Sequence, residues 1–131
     1  MKYWLPAAIW SIAILLTSTD LFSAQHTASL FPTEVANFIA RKLAHLTGYG
    51  IASALNFRAL RRARGGWRVG WVAGAVGLAL LVAAIDETHQ AFVPSRGASA
   101  QDVVIDLIGA VAAQIIIRNR CHRRVLFSSS T

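Results

Sequence analysis

Four apolar stretches, separated by short polar and charged segments, make up most of this chain. They cover residues 3–21, 38–57, 69–85 and 103–117. Their lengths are close to the ~20 residues that an α-helix needs to cross the ~30 Å hydrocarbon layer of a bilayer. The pattern therefore predicts an all-α fold, a polytopic membrane protein whose four transmembrane helices form one bundle. We expect residues 1–131 to make a single transmembrane domain with a basic tail at residues 118–131.

The charged residues are divided between the two sides of these stretches. Ten basic residues and no acidic ones occupy the N-terminus, the connection after the second stretch and the C-terminal tail. All six acidic residues lie on the other side, with Arg41, Lys42 and Arg96. Basic loops stay in the cytoplasm, so this division predicts cytoplasmic N- and C-termini and a multi-pass protein of the cytoplasmic (inner) membrane.

The net charge of +7 would by itself suggest binding to nucleic acid. Here 55% of the residues are hydrophobic, so the basic residues indicate orientation in a membrane instead. We expect the lipid bilayer as a partner and no nucleic acid. The first stretch also resembles a signal peptide, but Phe22 interrupts the small residues that a cleavage site needs, and we expect an uncleaved helix.

Polar residues recur at intervals of three and four in the second stretch. They are Lys42, His45, Tyr49, Ser53 and Asn56. This spacing aligns them on one face of a helix. On insertion scales an ionisable group inside a bilayer costs about 2.5 to 3.5 kcal/mol, so we expect this polar stripe to face the interior of the bundle.

The third stretch ends in a group of polar residues. Asp86 and Gln90 share one helical face, and Glu87 points about 100° away from them. Pro94 disfavours helical geometry in the residue before it, which predicts the end of the helix there. Ser99 and Asp102 have the spacing of a capping box at the start of the fourth helix.

On the predicted topology, these residues meet at the outer membrane interface. Asp106 lies one helical turn beyond Asp102 on the same face. We call the following nine residues the polar cluster: Lys42, His45, Tyr49, Asp86, Glu87, Gln90, Arg96, Asp102 and Asp106.

Three motifs carry a family resemblance. They are Lys42-x-x-His45-x-x-x-Tyr49, then Asp86-Glu87-x-x-Gln90-x-Phe92-x-Pro94-x-Arg96, then Asp102-x-x-x-Asp106-x-x-Gly109. In order and spacing the chain resembles, over residues 42–109, the VanZ-like family of small bacterial membrane proteins. That family takes its name from a protein associated with resistance to glycopeptide antibiotics, particularly teicoplanin. The resemblance implies an outward-facing site and a contribution to such resistance. Asp106 departs from the family pattern, in which many relatives have Asn.

The polar cluster has a structural and a functional interpretation. In the first, its charges only clamp the bundle. In the second, which we favour, it also binds an amphiphilic or lipid-linked molecule of the cell envelope. Lys42 and Arg96 would then bind or balance anions, while His45, Tyr49 and Gln90 orient the network.

Two alternatives remain open. A membrane enzyme acting on a lipid-linked phosphate would use Asp86 or Glu87 beside His45 as acid and base, with Arg96 on the phosphate. We assign no catalytic residue, because no nucleophile has an evident activating partner. A proton-coupled transporter would use His45, Tyr49 and Asp106 as a relay, although we expect the inner half of the bundle to lack matching polar residues.

Cofactors, metals and oligomers add little to this picture. We expect no cofactor, and no metal at His45, His89, Glu87 and Asp86, because these residues lack the usual metal-ligand spacings on a helix. The pattern Gly70-x-x-x-Gly74 in the third stretch would suit a homo-oligomer. Packing against other helices of the same chain is the competing use of that surface.

Overall fold

A computed structural model describes residues 2–18, 27–62, 66–92 and 99–128, with side chains up to residue 122. Over these ranges the chain is helical and contains no strand, so the all-α prediction is confirmed. The four helices are α1 (Leu5–Thr17), α2 (Glu34–Arg61), α3 (Val69–Ala91) and α4 (Ala100–Ser128), and a short 3-10 turn covers Ala28–Leu30.

Two of these helices are long and apolar enough to cross a membrane. They are α3, with 23 residues, and the 23 residues of α4 from Ala100 to His122. At 13 residues, α1 is about 20 Å long, less than the ~30 Å of a hydrocarbon layer. At 28 residues α2 is long enough, but its polar stripe lowers its apolar content. These two helices support the assignment as a membrane protein, and the architecture with four membrane-spanning helices stays a prediction.

The helices extend beyond the apolar stretches. α2 begins at Glu34 because the Thr33 side chain accepts a hydrogen bond from the N–H of Ala36 at 3.1 Å, satisfying one unpaired N–H of the first turn. α3 continues through its acidic residues to Ala91, and Pro94 lies outside the described residues. The predicted tail continues α4 as helix up to Ser128.

The predicted capping box at the start of α4 is wrong in its pairing. The Ser99 N–H donates to Oε2 of Glu87 on α3 at 2.6 Å, not to Asp102. The Asp102 carboxylate instead accepts from Lys42 of α2, and its own N–H donates to the backbone oxygen of Ser99 at 2.8 Å. A cation on a neighbouring helix has therefore replaced the local partner that the sequence pattern indicated.

α2 and α4 run parallel and in constant register, and they form the most extensive helix pair. Residues joined by polar side-chain contacts across this pair are separated by 60 or 61 positions in the sequence. The two backbones are in close contact at Gly109, where an added Cβ would lie only 2.1 Å from the carbonyl oxygen of Leu46. Only glycine fits such a contact, so Gly109 fixes the register of α4 on α2.

α3 and α1 complete the bundle around α2. α3 is antiparallel to α2, because Asp86 near its end contacts Tyr49, while Gly74 near its start faces Leu60. α1 docks through the indole N–H of Trp10, which donates to the carbonyl oxygen of Gly48 at 2.8 Å. α1 therefore lies beside the polar cluster residues of α2.

Small and polar residues fill the interior, and large apolar side chains cover the outside. The core centres on Ala52, Ala79 and Ala110. Leu, Ile and Val side chains are exposed on α1, α3 and α4, for example Ile9, Leu81 and Ile108, each more than half exposed. Such large exposed apolar surface is unfavourable in water. Small residues at helix contacts are typical of helices packed within lipid.

Candidate functional site

Two ion pairs join α2 to α4 at the end of the bundle where both helices begin. The Lys42 Nζ donates to Oδ1 of Asp102, and Nδ1 of His45 lies 3.1 Å from Oδ1 of Asp106. Because the helices are parallel, a step of one turn along α2 is matched by a step of one turn along α4. Both aspartates are buried, and each has a cationic or titratable partner.

One turn further along α2, a third carboxylate is held by neutral groups. The hydroxyl of Tyr49 and the amide nitrogen of Gln90 donate to Oδ2 of Asp86 at 3.2 and 3.0 Å. Asp86 is 1% exposed, and its second oxygen, Oδ1, has no hydrogen-bond partner among the described residues. The Tyr49 ring also stacks on His45, with 6.2 Å between ring centres. This level of the cluster therefore has an unused acceptor.

Glu87 points away from Asp86, as its helical position predicts. It is buried, and one of its oxygens accepts the Ser99 N–H at the start of α4. The positive end of the α4 dipole also stabilises a carboxylate at this position. Glu87 therefore positions α4, although its Oε1 has no partner within the described residues.

Acidic groups outnumber paired cations in the cluster. Its four carboxylates are buried, and Lys42 and His45 are the cationic or titratable partners that the structure describes. Arg41 makes no ion pair with a described residue, and Arg96, predicted to belong to the cluster, lies outside them. Among the lysines and arginines of the described residues, Lys42 is therefore the one that can clamp the bundle through an ion pair.

A cavity of about 450 Å³ lies between α1, α2 and the 3-10 turn and reaches the cluster. Its walls are largely apolar and include Trp10, Ile14 and Phe31. Its titratable or charged lining residues are His45, Tyr49, Asp86 and Arg41, and the hydroxyl residues Thr17, Ser18 and Thr27 also line it. A volume of this size, mostly apolar with a few convergent polar groups, is typical of small-molecule sites.

Sequence reasoning missed two features of this cavity. It did not assign Trp10 to the site, yet Trp10 lines the cavity and bonds to the backbone of α2. It left Arg41 out of the polar cluster, whereas Arg41 lines the cavity. A buried indole N–H needs an acceptor, which was the available signal, but the backbone carbonyl that satisfies it has no signature in sequence.

A smaller polar contact lies deeper along the same helix pair. The side-chain amide of Gln114 donates to Ser53, to the backbone oxygen at 3.1 Å and to the hydroxyl at 2.8 Å. Asn56, the last residue of the polar stripe, lies three residues after Ser53 and is also buried. The expectation that the inner half lacks matching polar residues is therefore wrong at Gln114, a residue that sequence reasoning overlooked two turns after Asp106.

The geometry also corrects the acid and base pairing expected for an enzyme. Asp106, and not Asp86 or Glu87, is hydrogen-bonded to His45. Among the described residues, no hydroxyl or thiol is hydrogen-bonded to His45. The arrangement thus offers hydrogen-bond acceptors at one end of an apolar cavity.

Comparison with known proteins gives one match. The chain matches the VanZ/LLP1 family model over residues 4–123, which extends the resemblance seen in residues 42–109 to α1 and to most of α4. Neither the curated proteins nor the solved structures gave a match. Since the family model covers nearly the whole chain, this protein belongs to the VanZ/LLP1 family.

Proposed function

We propose that this protein is a multi-pass protein of the cytoplasmic membrane that binds an amphiphilic cell-envelope molecule in the cavity beside the polar cluster. The cavity itself carries the proposal. It combines apolar walls at Trp10, Ile14 and Phe31 with a buried carboxylate, Asp86, that has an unused oxygen. An amphiphile matches both parts, with its chain on the walls and its polar group at the carboxylate.

Packing and charge support the membrane setting. Exposed apolar side chains lie on all four helices, and the interior contains alanine and paired polar groups. The polar stripe of α2 is covered by α4 and α3, through Asp102, Asp106 and Asp86. In that arrangement α2 can cross a bilayer without turning its polar face to lipid. The basic residues of the α2–α3 connection and of the α4 end favour cytoplasmic termini.

The family name suggests which amphiphile to test first. A lipid-bearing glycopeptide such as teicoplanin, or a lipid-linked wall intermediate, has a polar group joined to a hydrocarbon chain and lies at the outer face of the membrane. In the proposed orientation the cluster lies at that same face. Binding there would let the protein contribute to resistance.

Filling the cavity tests the proposal without altering any charged residue. Ala44 lines the cavity, so Ala44→Phe should block a ligand from entering. Ala73 is also exposed but is not part of the lining, so Ala73→Phe is the matched control. The measurement is the lowest inhibitory concentration of teicoplanin in cells expressing each variant, with the membrane abundance of the protein quantified in parallel.

The proposal predicts protection by the wild-type chain and by Ala73→Phe, and loss of protection by an equally abundant Ala44→Phe. Equal protection by both variants would show that the cavity is not the working site. No protection by the wild-type chain would remove the resistance role. Amphiphile binding would then be decided by the titrations described below.

A further inference from the structure

We infer that the ligand of this cavity carries an amine, which binds Oδ1 of Asp86 while its hydrocarbon chain lies against Trp10 and Ile14. The inference rests on the proposed function and specifies the chemistry of the ligand's polar group. It follows from the way the three buried aspartates of the cluster are paired.

Among the described residues, Asp86 is the aspartate of the cluster with neither a lysine nor a histidine partner. Asp102 is paired with Lys42, and Asp106 with His45. Asp86 receives hydrogen bonds only on Oδ2, and both donors, Tyr49 and Gln90, are neutral. Its Oδ1 is buried and has no partner among the described residues. A buried carboxylate with neither a counter-charge nor a full set of donors is unfavourable, so this side chain is prepared for a positively charged donor.

The Asp86 side chain lies at the wall of the cavity, within reach of a ligand bound there. Asp86 lines the cavity, together with the two residues that contact it or stack on its partner, Tyr49 and His45. An ammonium group supplies several N–H donors and one positive charge, and a charge-assisted hydrogen bond is about twice as strong as a neutral one. A hydroxyl supplies one donor and no charge.

An anionic group does not fit at this level of the cavity. A phosphate or carboxylate beside Asp86 would bring two acceptors and two negative charges together. Arg41 can hold such a group elsewhere in the cavity, since it lines the wall eight residues before Tyr49, about 12 Å away along α2. A ligand with both charges would therefore place its amine at Asp86 and its anion at Arg41.

Quenching of tryptophan fluorescence by a brominated chain tests the inference directly. The purified protein in phosphatidylcholine nanodiscs is titrated with a twelve-carbon amine brominated along its chain. The N-acetylated amine, the alcohol and the carboxylic acid of the same chain are titrated in parallel. Trp10→Phe reports quenching of the other tryptophans, and subtracting it isolates the signal from the cavity.

We expect the amine to bind at least about tenfold more tightly than the three related compounds, because it alone brings a positive charge to the carboxylate. Asp86→Asn keeps the side-chain shape and should weaken amine binding about tenfold, leaving alcohol binding unchanged. Glu34→Gln removes an exposed acid that neither belongs to the polar cluster nor lines the cavity, and it should leave amine binding within about twofold. The comparison of amine with N-acetylated amine needs no change at Asp86, so it stands even if Asp86→Asn fails to fold.

The outcomes separate this inference from the proposed function. If all four compounds quench Trp10 with similar affinity, the site takes amphiphiles but has no preference for an amine, and the inference is wrong. If none quenches Trp10 beyond the Trp10→Phe background, amphiphile binding itself is refuted. Equal losses of amine binding in Asp86→Asn and Glu34→Gln would assign the effect to general charge and overturn the role of Asp86.

Discussion

Replacing Gly109 by alanine should separate α4 from α2 and lower the stability of the bundle. An alanine Cβ at this position would lie 2.1 Å from the carbonyl oxygen of Leu46, 2.9 Å from its carbonyl carbon and 3.0 Å from its Cα. All three are backbone atoms of a helix, so no side-chain rotation can relieve the clash. The two helices have to move apart.

The size of the effect follows from these distances. Carbon and oxygen atoms in close contact are about 3.3 Å apart, so the separation has to grow by about 1 Å. That shift breaks the bonds between Gln114 and Ser53, now 2.8 and 3.1 Å long. Overpacking lowers the free energy of unfolding by about 1 to 3 kcal/mol, and the loss of each interhelical hydrogen bond lowers it by about 0.6 kcal/mol. The higher helix propensity of alanine restores up to about 1 kcal/mol. We expect the free energy of unfolding to fall by about 2 to 3 kcal/mol.

Two other glycines provide a graded comparison. An added Cβ at Gly77 meets nothing within 4 Å, so Gly77→Ala should be neutral or stabilise by up to about 1 kcal/mol. At Gly50 it would lie 3.2 Å from the Gly109 oxygen, and the loss should be intermediate. Unfolding of the purified variants in detergent, followed by far-UV circular dichroism, gives the three values. If Gly109→Ala were as stable as Gly77→Ala, the close contact of α2 and α4 would be refuted.

Three further variants test other contacts. Gln114→Leu should lower the free energy of unfolding by about 1 kcal/mol. Ser53→Ala should lower it by less, because the Ser53 backbone oxygen still accepts a bond. Equal losses in the same unfolding assay would contradict this. Lys42→Met should lower the free energy of unfolding by about 3 kcal/mol, because it leaves Asp102 buried without its lysine partner. The double variant Lys42→Met with Asp102→Asn should regain most of that stability. A double variant no more stable than the single one would show that the two residues are not coupled. The lone Cys121 should react with a membrane-impermeant maleimide only after the membrane is opened, and labelling in intact cells would place the end of α4 outside.

The polar stripe on α2 could be predicted from the sequence because its cause is local. Tyr49, Ser53 and Asn56 recur at helical spacing, and their burial follows from the cost of turning polar groups to an apolar surrounding. The approximate locations of the helices, and the placement of Lys42 and His45 on the same face of α2, followed from the same periodicity. A pattern within one helix is visible without any knowledge of its neighbours.

The pairing of the acids could not be predicted, because it depends on helix register. His45 meets Asp106, and Glu87 meets Ser99, owing to the position at which α4 docks on α2 and α3. That position is set by the backbone contact at Gly109, whose tightness is a property of three-dimensional packing. The sequence identified which groups needed partners but left several combinations open.

The cavity was beyond sequence reasoning for a related reason. It exists because α1 contacts α2 through Trp10 and Gly48 while leaving space beside Asp86. Periodicity indicates which side chains are apolar. It carries no information on whether the helices that bear them fit closely or leave space between them.

The parallel arrangement of α2 and α4 has a consequence for biosynthesis. The partners of Lys42, His45 and Ser53 are made 60 or 61 residues later, a delay of about 3 to 12 seconds at 5 to 20 residues per second. During this interval α2 carries an unmatched polar face, so in the proposed membrane setting it has to wait beside the insertion machinery or in water. A nascent chain that stops before α4 should therefore be recognised as defective and degraded.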